Sequence, residues 1–129
     1  MAINFLIDTN VFLEILLNQE KKELCKDYLN SKFGQISISD FSLHSIGVIL
    51  FKNKRFEVYS SFINDVLPRI KITSLPKENY LQVKILAEQY NLDFDDAYQV
   101  AVAEYFKLSI TTMDRDFGKV KQFLKISFL

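Results

Sequence analysis

Short apolar runs alternate with segments of helical period along almost the whole chain, and this alternation restricts the fold more than any other feature. Runs at 3–7, 35–38, 70–72, 108–111 and 123–127 have strand character. Between them lie helix-spaced sets such as Leu24, Tyr28 and Leu29, then Leu43, Ile46, Ile49 and Leu50, then Val58, Phe62 and Val66. Helices are expected over 11–17, 21–32, from Ser39-Asp40 through Leu50, and over 55–66, 78–90 and 95–107. Strands separated by helices favour parallel pairing, because a parallel partner is reached only by a crossover. The expected fold is α/β, a three-layer α/β/α sandwich around a central, mainly parallel sheet of about four to five strands.

The 129 residues suffice for one core, and neither a linker nor a repeat interrupts them, so a single domain over 1–129 is expected. Sixteen basic and sixteen acidic side chains cancel, so attraction to a polyanion has to come from a local patch. Lys52-Asn53-Lys54-Arg55 is the densest basic run, and Arg115, Lys119 and Lys121 form a second group. Cys25 is the only cysteine, which excludes an internal disulfide and a multi-cysteine zinc site. Its place in a helical repeat suits a packed thiol. With no apolar run long enough for a membrane span and no charged leader before the first strand, a cytoplasmic protein is expected.

The acids stand at informative places. Asp8 follows the first apolar run, Asp95 and Asp96 open a helix, and Asp114 and Asp116 follow the fourth run. Each has a sufficient explanation as a helix cap, since a carboxylate at a helix N-terminus gains roughly 0.3–1 kcal/mol from the helix dipole. Capping does not require the acids to meet. If the first and fourth strands are neighbours, however, Asp8 and Asp114 reach the same carboxyl edge of the sheet, where open α/β folds bind ligands. Carboxylates gathered there need a cation to stay ionised, and hard oxygen donors suit Mg²⁺ or Mn²⁺.

Three motifs in this order resemble the PIN domain family of metal-dependent ribonucleases, which includes many toxins of toxin-antitoxin pairs. They are Ile7-Asp8-Thr9-Asn10, Asp95-Asp96-Ala97 and Thr111-Thr112-Met113-Asp114-Arg115-Asp116-Phe117, and together they extend over essentially the whole chain. The resemblance implies Asp8, Asp96 and Asp114 as metal ligands, Asp116 as a further catalytic acid, and Thr9, Asn10 and Thr112 as groups that orient the site. It also implies RNA as substrate and an antitoxin protein as partner. The twelve phenylalanines and six tyrosines suit an oligomer interface, so a homodimer is expected, and the lack of a long apolar run gives no membrane contact.

One position departs from the family pattern. A glutamate usual on the helix after the second strand is replaced by Ser45, which brings a hydroxyl and no charge, so metal affinity should fall. His44, Asp40 and Glu14 lie close enough in sequence to be weighed as substitutes. The alternative reading is a catalytically weak or inactive PIN scaffold that binds RNA or protein. A phosphatase with an aspartyl nucleophile fits less well, because Asn10 stands where such enzymes carry a second aspartate.

Overall fold

The computed structural model describes residues 2–129. Its centre is a five-stranded, entirely parallel sheet, with strands β1 (Phe5–Ile7), β2 (Ile36–Ser39), β3 (Lys71–Thr73), β4 (Ser109–Thr112) and β5 (Ile126–Phe128) in the spatial order β3-β2-β1-β4-β5. Helices α1 (Thr9–Leu16), α2 (Lys22–Ser31), α3 (Asp40–Lys52), α4 (Phe56–Ser61), α5 (Tyr80–Tyr90) and α6 (Phe94–Phe106) supply the crossovers. Parallel strands are buried on both faces, and successive residues point to opposite sides. Leu6 accordingly enters the core that holds Leu86, Val100 and Ile110, while Ile7 enters the other, with Phe12, Ile38, Ile46 and Leu50. Cys25 is fully buried in this second core. The expected sandwich is therefore the one observed.

Boundaries differ where local chemistry intervenes. The helix expected over 55–66 ends as an α-helix at Ser61 and continues as a π-helical turn over Phe62–Val66. Pro68 lies immediately beyond in a 3₁₀ turn, where a proline cannot supply the backbone donor that continued helix would need. The first strand begins at Phe5 rather than Ile3, and the last covers only Ile126–Phe128. No helix among the described residues is long and apolar enough to cross a membrane.

The strand order reverses between β1 and β4, and this junction positions the site. Ile7 pairs with Thr111, and the Asp8 amide still donates to the Thr111 carbonyl at 2.9 Å. Asp8 and Thr112 therefore leave the sheet side by side. A crevice at such a reversal, outside the carboxyl ends of the strands, is the usual binding place in open α/β sheets.

Candidate metal centre

Asp8 combines two tasks. It is the N-cap of α1, its Oδ1 accepting from the Thr9 amide at 2.9 Å, and it is buried at 7 % exposure. Oδ1 also accepts from Gln99 Nε2 at 3.2 Å, and Oδ2 accepts from the Thr112 hydroxyl at 2.7 Å. Three donors occupy three of the roughly four lone-pair directions of a carboxylate, which leaves one on Oδ2. Burial pushes the Asp8 carboxyl above the ordinary aspartate range, opposed by these three hydrogen bonds and reinforced by the charge of Asp114.

Thr112 passes the order onward: its oxygen accepts from the Asp114 amide at 2.9 Å. Asp114 then caps the 3₁₀ turn over Arg115–Val120, with Oδ1 accepting from the Asp116 amide at 2.9 Å. On the facing helix, the cap of α6 is Asp93 rather than Asp95 or Asp96, its Oδ1 accepting from the Asp96 amide at 3.0 Å. The Asp96 side chain is thereby freed from capping.

Carboxylate oxygens of Asp96, Asp114 and Asp116 lie within 4.8 Å of one another. Asp8, Asp96 and Asp114, with Thr9, Asn10, Ser45, Asp95 and Gln99, line one cavity of about 260 Å³. All the residues expected at the site are thus at or beside one crevice, with Asp116 joined to it through Asp114. The substitutes weighed for the missing acid are elsewhere. Glu14 is buried but accepts from the Lys21 amide at 2.7 Å, closing the α1–α2 connection. His44 and Asp40 border a separate groove on the other side of α3. Asp40 Oδ1 accepts from the Tyr98 hydroxyl at 2.7 Å. Lys52, which opens the basic run, lines that same groove and not the crevice of Asp8, Asp96 and Asp114.

Two contributors were not evident from sequence. Gln99 is 1 % exposed, and its Nε2 donates to Ser42 Oγ at 2.9 Å as well as to Asp8, while its Oε1 has no partner. Ser42 Oγ also accepts from the Thr9 hydroxyl at 2.7 Å, so Thr9 joins the same hydrogen-bonded chain while Asp8 does the capping. Asn10 Oδ1 accepts from the Met113 amide at 3.4 Å, tying α1 to the loop after β4. The one signal for Gln99 is a lone amide inside the run Ala97–Ala103, all of which is buried.

The carboxyl of Asp96 is pushed up, as are those of Asp8 and Asp95. Burial, then the charges of Asp93, Asp114, Asp8 and Asp116, push the Asp96 carboxyl up to about 7. Among the described residues the single ion pair joins Lys84 and Glu88, so no cationic side chain neutralises these acids. A raised folded-state pKa means that the ionised form is disfavoured in the native state. Its contribution to stability is complete below the ordinary aspartate value of about 4 and is lost as pH rises through about 7. Metal-free protein is therefore expected to lose thermal stability between about pH 5 and about pH 8, and Asp96→Asn to flatten that decline. Thermal melts in a chelator test this; equal slopes for the two proteins would remove Asp96 as its source.

The PIN domain family model matches residues 5–122. This chain belongs to the PIN domain family. No curated protein sequence matches it significantly. Among solved structures, its PIN fold is similar to a toxin-antitoxin complex from Klebsiella pneumoniae, with TM-score 0.73 and 22 % identity over 88 % of this chain and 90 % of that one. VapBC2 from Rickettsia felis, bound to a promoter DNA fragment, gives TM-score 0.75 at 17 % identity over 100 % and 99 %. The sarcin-ricin-loop-cleaving toxin VapC20 of Mycobacterium tuberculosis gives 0.76 at 14 % over 91 % and 95 %. At these identities the likeness concerns the fold.

Proposed function

We propose that this PIN domain is a divalent-metal-dependent endoribonuclease that hydrolyses RNA phosphodiesters and acts as the toxin of a toxin-antitoxin pair. The observation that supports this most is the convergence of Asp96, Asp114 and Asp116 within 4.8 Å, beside buried Asp8 and with no cationic side chain among them. An all-oxygen, anionic donor set suits Mg²⁺ or Mn²⁺. Similarity to a toxin-antitoxin complex and to a sarcin-ricin-loop-cleaving toxin supports the biological role. The same reading gives the chain an antitoxin and a second copy of itself as partners.

In this reading Asp8, Asp96 and Asp114 hold the cation. When bound, it offsets charge on the phosphate and lowers the pKa of a bound water. Thr112 and Gln99 fix the Asp8 carboxylate through Oδ2 and Oδ1, so its remaining lone pair has one direction. Asp96 or Asp116 takes a proton from the attacking water as the phosphorus–O3′ bond breaks, and solvent protonates the departing 3′ oxygen. No side chain needs to act as nucleophile.

Chelation and readdition test the proposal. RNA cleavage by purified protein should stop in a chelator and return with Mn²⁺. Asp8 already has three protein donors and Ser45 adds no charge, observations that favour a binding scaffold instead. Calorimetric titration with Mn²⁺ that yields no heat, together with no cleavage, would favour the scaffold over the enzyme.

A further inference from the structure

An aromatic shelf adjoins the acidic crevice and has no role in the chemistry above. Phe94, the first residue of α6, precedes Asp95 and Asp96 directly and is 55 % exposed. Its inner face stacks on Tyr98, with ring centroids 6.2 Å apart and planes 24° from parallel. Tyr98 is 2 % exposed, and its hydroxyl is fixed twice, donating to Asp40 Oδ1 at 2.7 Å and accepting from the Leu75 amide at 3.1 Å. Tyr80 and Phe41 pack on other sides of the same ring, at 5.9 and 6.1 Å. Phe41 also lines the acidic crevice, so shelf and crevice are continuous.

We propose that Phe94, backed by Tyr98, is the stacking platform for one unpaired nucleobase of the RNA whose phosphate enters the crevice. The inference rests on the nuclease reading. Single exposed apolar side chains are common, but this ring is seated on a neighbour held by hydrogen bonds that do nothing for the acids of the crevice. A ring already fixed loses little conformational freedom when a second ring covers it. Phe94 directly precedes Asp95 and Asp96, which line the crevice with Phe41, so a base on its outer face belongs beside a phosphate held in the crevice. Stacking on an aromatic face accepts any base, so the shelf selects single-stranded RNA and not a sequence.

The test uses the full chain with Mn²⁺ and a short single-stranded RNA carrying 2-aminopurine at successive positions. Wild-type protein should cut the RNA, and rapid mixing should show quenching of the probe at one position before cleavage. Phe94→Leu should lose that quenching and raise the half-saturating RNA concentration roughly five- to a hundred-fold, the range of one lost stacking contact. Phe94→Tyr should retain both. Cleavage by wild type with unchanged quenching and half-saturation in Phe94→Leu overturns the shelf and leaves the nuclease reading intact. Failure of wild type to cut any RNA overturns the nuclease reading, and the shelf with it. Phe94→Leu that dissociates a dimer while quenching persists assigns this face to a second copy of the chain, which also overturns it.

Discussion

Asp8→Asn is expected to keep the fold and to lower divalent-dependent RNA cleavage by about a thousandfold or more. Charge stabilisation at a metal-phosphate centre is worth several kcal/mol, and each 1.36 kcal/mol is a factor of about ten in rate. The amide of the variant can still accept from the Thr9 amide and Gln99 Nε2 at the Oδ1 position, so the cap of α1 and the link to Ser42 persist. What it loses is the negative charge, and the Oδ2 lone pair is replaced by a donor facing the Thr112 hydroxyl. A simple destabilising mutation would lower activity and stability together. Here the two should separate, because burial already disfavours the ionised form of Asp8. Removing an ionisation that the fold resists should leave the metal-free variant at least as stable as wild type above neutral pH. Cleavage assays beside thermal melts in a chelator read both effects. Unchanged Mn²⁺-dependent cleavage would take Asp8 out of the mechanism.

How far this centre could be read from sequence depended on which physical signal each residue left. Asp8 and Asp114 were legible because they follow apolar strands directly, and a parallel sheet sends all its carboxyl ends to one side. Asp96 was legible from its motif, but its freedom was not, since the helix start is shared by three aspartates and only backbone geometry selects Asp93 as the cap. Gln99 and Ser42 leave a misleading signal in the sequence. A polar residue inside a helical repeat ordinarily marks the solvated face, and only the packing of α6 against β4 and α3 turns this one inward. Helix ends were also weakly signalled. Asn91 and Lys107 adopt the left-handed conformation, φ 54° and 59°, that glycine usually supplies after a helix. Asn tolerates that geometry, whereas a lysine there gives no warning in the sequence.

Ser45 carries the second large expected effect, a gain. Ser45 lines the crevice with Asp8, Asp96 and Asp114, at the position where the family resemblance expects a glutamate. Ser45→Glu should therefore bind Mn²⁺ about ten- to a hundredfold more tightly, the span over which a single coordinating or supporting group commonly changes metal affinity. The cost is predictable in sign. A further carboxylate beside Asp96, whose own carboxyl already stands at about 7, raises the repulsion among ionised acids, so the metal-free variant should melt lower than wild type above neutral pH. Saturating Mn²⁺ should reverse that order, since a ligand that binds only the folded state stabilises it in proportion to its affinity. The crossing of the two melting curves with added metal is the informative readout, because mere crowding of the crevice would lower stability with and without Mn²⁺. Titration calorimetry supplies the affinity directly. A variant with no tighter binding and no metal-dependent recovery would mean that the side chain at this position does not reach the cation, and that Asp8, Asp96 and Asp114 hold it without help from α3.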